Sequence, residues 1–377
     1  MMHYHQFSDD NHVSVAQQIL RRLHIDLPLL LSLLLLSTIG LFVLYSAGDQ
    51  NMELITRQLV RLLIGFSIMI GIAQISPAVI QRWAPWIFGI GLFMLIAVLL
   101  LGEMGKGAQR WLNLGLFRFQ PSEIMKVAVP MMIAWYLAEV VLPPRRSHLL
   151  TALIVLILPT LLVAKQPDLG TALLIASSGI FVLLLAGLRW KLIIAALIIM
   201  ISSAPLIWNY LLHDYQRQRV LTFINPETDP LGAGYHIIQS TIAIGSGGLY
   251  GKGWLNGTQS HLDFLPERST DFIFAVFAEE FGFMGILLLL AIYSTIIVRG
   301  LIIANQAQDT FTRLLAGSLT LTFFVYIFVN IGMVSGILPV VGVPLPLISY
   351  GGTSMVTLLA GFGILMSIQT HRRLIAN

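Results

Sequence analysis

A carboxylate stands where the chain passes from its longest polar interval into an apolar segment. Asp271 follows Ser269 and Thr270 and precedes a run, 273–298, that is long enough to cross a bilayer. An acid at the edge of a water-filled cavity can remove a proton from a weak nucleophile. The same acid suits an ordinary helix start, with Ser269 or Thr270 as the N-cap and Asp271 in the first turn. The spacing alone leaves both roles open.

Further charged groups lie at the starts and ends of other apolar segments. Glu123 and Lys126 are three residues apart and share a helical face. A lysine one turn into a membrane helix is costly unless it pairs or lines a cavity, so the two form either a self-neutralising pair or a charged cavity wall. Lys165 and Asp168 flank a short turn, where Asp168 is either an N-cap or another part of that wall.

Three more charged residues complete the set. Glu279 lies two helical turns beyond Asp271 on a nearby face, where it is either a site residue or a partner for a buried cation such as Lys126. Arg110 and Arg118 belong to a polar loop before the fourth apolar segment. The pattern predicts a cavity with acids and cations at one end of the molecule, which would suit a substrate with an anionic headgroup and a lipid tail.

The composition assigns these residues to a membrane protein. Of the 377 residues, 56% are hydrophobic and only 11% are charged, against about 25% in soluble domains. Apolar runs of about 16–25 residues without period-two alternation predict an all-α polytopic membrane protein rather than a barrel. The lack of cysteine excludes thiolate catalysis, and no basic run resembles a nucleic-acid patch. We expect one membrane domain, 27–369, between an N-terminal tail, 1–26, and a C-terminal tail, 370–377.

Ten membrane spans are predicted, and an even number places both termini on one side. Their approximate bounds are 27–46, 55–75, 84–102, 121–140, 149–164, 169–187, 191–212, 272–298, 312–335 and 347–369. Eleven of the 22 Lys and Arg residues lie on the terminal side, and four of the others fall in the long interval 213–271, where length weakens the positive-inside rule. Both termini are therefore predicted to be cytoplasmic. Thirteen of the 18 acids are outer or lie within the membrane.

Besides the outer loop that leads from Gly105 to Glu123, two further outer loops are candidates for function. The interval 213–271 is predicted to be an irregular functional loop that contains one re-entrant or interfacial helix, near 235–244. Its glycine-rich piece, 245–254, fits neither the dinucleotide nor the P-loop pattern and indicates close backbone approach to a ligand or to the bilayer. The loop 335–352 combines prolines and glycines, which break helices where backbone lines a cavity.

Seven strings, in chain order, resemble one family. They are GAQRW at 107–111, FQPSE at 119–123, KQPDLGT at 165–171, DYQRQR at 214–219, DPLGAGY at 229–235, TDFIF at 270–274 with acids at 279 and 280, and PLISYGG at 346–352. Together they resemble the SEDS family of bacterial cell-wall proteins, and its rod-elongation members more than its division members. The similarity runs from about the first span to the C-terminus.

The resemblance implies a peptidoglycan glycosyltransferase that polymerises lipid II on the outer face of the bacterial cytoplasmic membrane and releases undecaprenyl pyrophosphate. It also implies a class B penicillin-binding protein as transpeptidase partner and a place in the rod elongation complex. The family's catalytic aspartate falls on Asp271. Candidate substrate-binding residues are Arg110, Arg118, Gln120, Glu123, Lys126, Lys165, Asp168, Glu279 and Ser349.

The expected chemistry is attack of a sugar hydroxyl on the anomeric carbon of the donor, with inversion if the attack is direct. Cations or a divalent ion, Mg²⁺ or Mn²⁺, would stabilise the pyrophosphate leaving group. Two roles stay open for Asp271, since it either takes the proton itself or holds such an ion. The alternative function is a lipid II flippase, which needs a path through both leaflets, and the one-sided distribution of acids favours the enzyme.

Overall fold

A computed structural model describes residues 24–105, 108–113, 118–206, 208–209, 214–229, 232–261 and 267–371. In chain order its helices are α1 (Leu27–Ala47), α2 (Met52–Ala73), α3 (Pro77–Leu101), α4 (Pro121–Ala138), α5 (Arg146–Lys165), α6 (Leu169–Leu185), α7 (Trp190–Leu206), α8 (Asp214–Ile224), α9 (Ala233–Ser246), α10 (Thr258–His261), α11 (Ile273–Asn305), α12 (Thr310–Val334) and α13 (Thr353–Thr370). A 3-10 turn, Pro226–Thr228, follows α8. Three strands, β1 (Glu103–Gly105), β2 (Ala108–Asn113) and β3 (Arg118–Phe119), form an antiparallel sheet in that order between α3 and α4.

The ten predicted spans coincide with α1–α7 and α11–α13. Seven of these helices are long and apolar enough to cross a membrane, namely α1, α2, α3, α5, α11, α12 and α13, and α6 is a shorter apolar helix. The chain is therefore an all-α polytopic membrane protein, as predicted. The last span was placed too early, because Pro344, Pro346 and the pair Gly351-Gly352 keep the chain irregular until Thr353. The tails 1–23 and 372–377 lie outside the described residues.

The helix α12 lies at the centre of the bundle. It packs against α4, α6 and α11, and 67% of its most apolar stretch is buried, compared with 22% in α2 and in α5. Outer helices pair along the rim, where α2 packs on α13 and α3 packs on α4. The apolar side chains of α2 and α5 therefore face outward, as expected of helices that contact lipid.

An ion pair that includes a buried carboxylate connects α1 to α11. Asp26 caps α1 by accepting a hydrogen bond from the Leu29 amide at 3.1 Å. The same carboxylate accepts two hydrogen bonds from the Arg299 guanidinium, at 2.5 and 3.1 Å. Such a bidentate pair fixes the distance and the rotation between the two helices.

The long helix α11 is interrupted at Gly282, which has φ 64° and ψ −165°. Essentially only glycine adopts this conformation. The segment 247–253 pairs with the backbone groups that the break exposes. Four hydrogen bonds of 2.9–3.0 Å form, from the amides of Lys252 and Gly253 to the carbonyls of Glu279 and Glu280, and from the amides of Phe283 and Met284 to the carbonyls of Gly248 and Leu249.

This pairing explains the glycine-rich sequence. A Cβ on Gly251 would lie 2.1 Å from the Glu280 carbonyl oxygen, and a Cβ on Gly247 would lie 2.1 Å from the Ala278 carbonyl oxygen. The close backbone approach that the sequence predicts is thus an approach to the protein's own helix. The expected approach to a ligand or to the bilayer stays a prediction.

The interval 213–271 is also more regular than predicted. It contains α8, α9 and α10, and the predicted helix at 235–244 lies within α9. α9 packs against α11 and α12 with Ile237 and Ala243 buried, and the Ser240 hydroxyl donates to the Val334 carbonyl at 2.8 Å. Burial of this apolar side explains why the interval folds into helices although its sequence is rich in polar residues.

Candidate functional site

A polar cavity of about 200 Å³ lies between the start of α4, the start of α6 and the loop 335–352. Five of the predicted site residues line this one cavity, and they are Arg110, Gln120, Glu123, Lys126 and Asp168. Main-chain segments of the loop, among them Gly342 and Gly352, form the opposite wall. The cavity of mixed charge that the sequence predicts is therefore present.

The Glu123–Lys126 pair forms the wall contributed by α4. The Lys126 ammonium donates to Glu123 Oε1 at 2.7 Å, and both side chains are almost completely buried, at 5% and 4% exposure. The ammonium also lies 5.3 Å from the centre of the Tyr326 ring. The pair neutralises itself and lines the cavity, so both roles that the spacing allowed are realised together.

Asp168 is the other anionic centre. Its Oδ1 accepts from the Thr171 amide at 3.3 Å, which caps α6, and its Oδ2 accepts from Gln120 Nε2 at 3.0 Å. Arg110 Nε lies 3.7 Å from Oδ2, and Arg110 Nη2 donates to the Pro167 carbonyl at 2.5 Å. Arg110 comes from β2, so the small sheet holds a cation over the start of α6.

Asp271 lies in a turn, 267–272, and not in the first turn of α11. Phe272 is the N-cap of that helix, and neither Ser269 nor Thr270 caps it, which corrects the predicted cap. The Thr270 hydroxyl instead donates to the Glu267 carbonyl at 3.1 Å and to the Glu267 carboxylate at 2.8 Å. These local bonds hold the segment in a turn that ends just before the helix begins.

The loop 335–352 and α12 fix the backbone of this turn. The carbonyl of Asp271 accepts from Asn330 Nδ2 at 2.8 Å, and the same amide group donates to the Val343 carbonyl at 2.7 Å. The Ser349 hydroxyl donates to the Thr270 carbonyl at 2.6 Å, and the Tyr350 amide donates to the Ser269 carbonyl at 2.8 Å. The position of Asp271 is therefore set by hydrogen bonds to three successive carbonyls, those of residues 269–271.

Gly342 brings Asp271 next to the cavity. A Cβ on Gly342 would lie 3.4 Å from Asp271 Oδ2, and Gly342 itself lines the polar cavity. Its φ of 74° is in the left-handed region that favours glycine. Gly342, which has no side chain, thus lies between the partly buried Asp271 carboxylate and the cavity.

Besides Asp271, three described site residues are not among those that line this cavity, namely Glu279, Ser349 and Lys165. Glu279 lies in another cluster, where its Oε1 accepts from Lys252 Nζ at 2.6 Å and from the amides of Thr258 and Gln259. Ser349 is buried and holds the turn before α11, and Lys165 is exposed at the end of α5. For Arg118 the structure describes the backbone, in β3, and not the side chain.

Sequence reasoning missed several residues near the site. Asn330 is fully buried in α12, and a lone Asn within a long apolar helix was the available signal. Arg61 lies over the Tyr350 ring at 4.4 Å and close to Gly352. Arg219 donates to the Val340 carbonyl at 3.3 Å. These two cations approach the loop from distant parts of the sequence, which no local pattern reveals.

A metal centre made of protein side chains alone is not found in the described part of the chain. No group of three or more His, Cys, Asp or Glu side chains there could hold an ion. The carboxylates of Glu123 and Asp168 already face cations. A divalent ion would fit this cavity only if the substrate's phosphates supplied most of its ligands, which is usual for Mg²⁺.

Comparison with known proteins gives close relatives over nearly the whole chain. It is 57% identical over 355 residues to peptidoglycan glycosyltransferase MrdB of Escherichia coli K12. These aligned residues cover 94% of this chain and 96% of that protein. It is 31% identical to peptidoglycan glycosyltransferase RodA of Treponema pallidum, with 92% of this chain and 98% of that protein covered.

Solved structures share the fold. A chain from a peptidoglycan synthase complex, described as coordinating polymerization and crosslinking, matches with a TM-score of 0.81 and 31% identity over 93% of this chain and 98% of that one. The rod shape determining protein RodA of Thermus thermophilus matches with a TM-score of 0.69 and 27% identity over 91% and 96% of the two chains. Residues 22–374 match the family described as cell cycle protein, FtsW/RodA/SpoVE. The chain belongs to this FtsW/RodA/SpoVE family.

Proposed function

We propose that this peptidoglycan glycosyltransferase polymerises lipid II in the cavity between α4, α6 and the loop 335–352, with Asp271 as the general base. The observation that carries the proposal is the position of Gly342, which lines the cavity and lies against Asp271 Oδ2. A carboxylate and a cavity that contains two cations are thereby adjacent, as glycosyl transfer from a pyrophosphate donor requires.

The reaction joins two lipid-linked sugars. The acceptor hydroxyl oxygen attacks the anomeric carbon of the donor, its proton passes to Asp271, and the bond from that carbon to the pyrophosphate oxygen breaks. The electron pair leaves with undecaprenyl pyrophosphate. Direct attack inverts the anomeric centre, and no second carboxylate is needed as a nucleophile.

Arg110 and Lys126 stabilise the charge that develops on the leaving group. Arg110 is partly exposed in the cavity, where its Nη2 donates to the Pro167 carbonyl and its Nε lies 3.7 Å from Asp168 Oδ2, so other N–H groups of the guanidinium remain to donate to a phosphate. Lys126 is held by Glu123, which keeps a buried cation charged in the wall. Arg61 and Arg219 bring further positive charge to the edge of the loop.

An apolar groove beside the cavity accommodates a lipid tail. It has a volume of about 610 Å³ and lies along α2, α3, α4 and α13. α4 contributes Ile124 and Val127 to the groove and Glu123 and Lys126 to the cavity. One helix therefore presents a charged surface to the headgroup and an apolar surface to the tail of the same substrate.

The cavity faces the outer side of the cytoplasmic membrane in this proposal, and both termini are cytoplasmic. The distribution of Lys and Arg among the short loops supports this orientation. The partner is a class B penicillin-binding protein, a transpeptidase that crosslinks the strands as they form. The match to a peptidoglycan synthase complex supports such a partner.

The deciding experiment compares wild type with Asp271→Asn, each purified with its partner and incubated with fluorescent lipid II. We expect the Asn variant to lose polymerisation by roughly 1,000-fold, because an amide cannot accept the proton and general-base catalysis contributes about 10²–10⁴-fold. Glycan chain length is read on a gel. The assay is repeated with Mg²⁺, Mn²⁺ or a chelator, which separates proton removal from a role in metal binding.

The matched control is Glu53→Gln, which removes an exposed carboxylate at the same end of the bundle, 70% exposed and paired with Arg57. We expect this variant to keep its activity. Glycan chains of normal length from Asp271→Asn would show that Asp271 is not the base. Loss of activity in both variants would show that the assay reports folding rather than chemistry.

A further inference from the structure

A basic cavity lies at the end of the bundle opposite Glu123 and Asp168. Its volume is about 360 Å³, and the turns that join α4 to α5 and α6 to α7 form it. Four cations line it, and they are Arg145, Arg146, Arg189 and Lys191. Among its described lining residues there is no Asp or Glu. The glycosyl transfer proposed above uses none of these residues.

The four cations have no anionic partner in the described part of the chain. All four side chains are exposed, and none of them forms an ion pair with a described residue. Four like charges around one cavity repel one another, and an anion in the cavity would relieve this repulsion. This situation differs from the cavity at the other end, where each buried cation or anion has a protein partner.

Two helix N-termini point to the same kind of ligand. α5 begins beside Arg145, its N-cap, and no side chain caps its first turn. α7 begins at Trp190, between Arg189 and Lys191. The first amides of a helix are unpaired and carry partial positive charge, so both helices add to the attraction for an anion.

The surroundings of the cavity indicate a ligand that is also a lipid. Trp190 is 77% exposed, and exposed apolar residues follow on both helices, Leu150 on α5 and Ile194 on α7. Exposed tryptophan is typical of the boundary between water and lipid. A headgroup held in the cavity would therefore have its acyl chains beside α5 and α7, in contact with apolar side chains.

We propose that this cavity binds the phosphate headgroup of an anionic phospholipid from the membrane leaflet that surrounds this end of the bundle. The cavity prefers the two phosphates of cardiolipin. A headgroup with one phosphodiester carries one negative charge and would leave three of the four positive charges unbalanced. Cardiolipin carries two such charges and lets each of its phosphates contact two cations, and a basic cavity between helices at the membrane surface is the usual setting for such a headgroup. The site lies away from the catalytic cavity and does not depend on the proposed mechanism.

The test uses the full chain in nanodiscs of phosphatidylcholine that contain a small fraction of cardiolipin or of phosphatidylglycerol. Native mass spectrometry measures bound lipid for wild type and for the double variant Arg145→Gln/Arg189→Gln. We expect the Kd for cardiolipin to rise about 30-fold in the double variant, from the loss of two cations at a membrane surface. The matched control, Arg82→Gln/Arg313→Gln, removes two exposed cations at the same end of the bundle and outside the cavity. It should bind cardiolipin like wild type.

Three results would overturn the proposal. Unchanged cardiolipin binding by Arg145→Gln/Arg189→Gln would remove the site. An equal loss in the control would show general attraction to the membrane surface instead. The third result concerns the Tm of wild type. Millimolar inorganic phosphate, added to nanodiscs of pure phosphatidylcholine, would raise this Tm as much as cardiolipin in the nanodisc does. The cavity would then be assigned to a soluble anion. Lipid II polymerisation by both variants verifies that they are folded.

Discussion

Two buried carboxylate–lysine pairs of this protein have similar geometry and different surroundings. Glu123 pairs with Lys126 at 2.7 Å beside the polar cavity, and Glu279 pairs with Lys252 at 2.6 Å beneath the segment 247–261. In both acids, Oε2 is buried and has no hydrogen-bond partner. An orphan oxygen therefore does not tell the two pairs apart.

The two pairs differ in the groups that donate hydrogen bonds to Oε1 of each glutamate. Glu279 Oε1 accepts from the amides of Thr258 and Gln259 as well as from Lys252, so it holds main chain in place. Glu123 Oε1 accepts from Lys126, and both residues border open space. A carboxylate fixed by backbone amides is structural, whereas a self-neutralising pair in a cavity wall can respond to a charged substrate.

The largest effect is expected at the cavity pair. Lys126→Met should reduce polymerisation by at least about 100-fold, since a cation that stabilises the leaving group is lost. It should also lower the free energy of unfolding by about 3 kcal/mol, because Glu123 is left buried without its partner. Fluorescent lipid II polymerisation and thermal unfolding in detergent measure the two effects.

The double variant Glu123→Gln/Lys126→Met sharpens this test. It should recover most of the lost stability, because no buried charge is left unpaired, and it should remain inactive. Full activity in the double variant would mean that the pair serves folding alone. The contrast with Glu279 would then disappear.

A large effect on stability, with no chemical role, is expected at the break in α11. Gly282→Ala should lower the free energy of unfolding by about 3 kcal/mol, since alanine is strained at φ 64° and ψ −165° and its Cβ would lie 2.3 Å from the Gly251 nitrogen. Gly89→Ala is the control, because a Cβ at that helical position meets no atom within 4 Å. Thermal unfolding should show a loss for Gly282→Ala and none for Gly89→Ala.

A moderate effect is expected at the second pair. Glu279→Gln should lower the free energy of unfolding by about 2 kcal/mol, since hydrogen bonds from two amides and a lysine lose their ionised acceptor. Limited proteolysis should cut faster within 247–261. Polymerisation below the unfolding temperature should stay within about threefold of wild type, and a loss as large as that of Lys126→Met would contradict a purely structural role.

The smallest effect is expected at the end of the bundle away from both pairs. The rings of His24 and His371 stack at 3.9 Å, and burial together with the nearby His371 lowers the pKa of His24 below its usual 6.5. A lowered pKa favours neutral His24 in the folded protein, so this contribution to stability is present above about pH 6.5 and is lost as the pH falls below it. The Tm of His24→Gln should vary less than that of wild type between pH 7.5 and pH 5.5.

The helices could be predicted because lipid imposes a simple rule on sequence. Long apolar runs must be helical in hydrocarbon, so ten runs gave ten helices with bounds wrong by at most seven residues. The start of α13 was harder to predict than the end of α12. Pro344 and Pro346 indicate a break, but Leu345 and Ile348 between and after them are as apolar as a span, and they are buried against protein.

The members of the cavity could be predicted because charge within a membrane is costly and needs a reason. Glu123 and Lys126 met that condition, Arg110 and Asp168 were predicted from the neighbouring polar loop and turn, and all four line one cavity. The location of Glu279 could not be predicted, since its partners come from Thr258 and Gln259, which carry no local signal. Nor could the roles of Gly342 and Asn330 be predicted, because each depends on contact with Asp271 across the fold.

The break in α11 also bears on how the protein is made. Gly282 exposes backbone amides and carbonyls ten residues into a membrane-spanning helix, and each such group left unpaired in hydrocarbon costs several kcal/mol. The segment 247–253, which pairs with them, precedes α11 in the chain and leaves the ribosome first. The partner for the break is therefore already synthesised when α11 enters the bilayer, and a circular permutant that makes α11 first should insert this helix less efficiently.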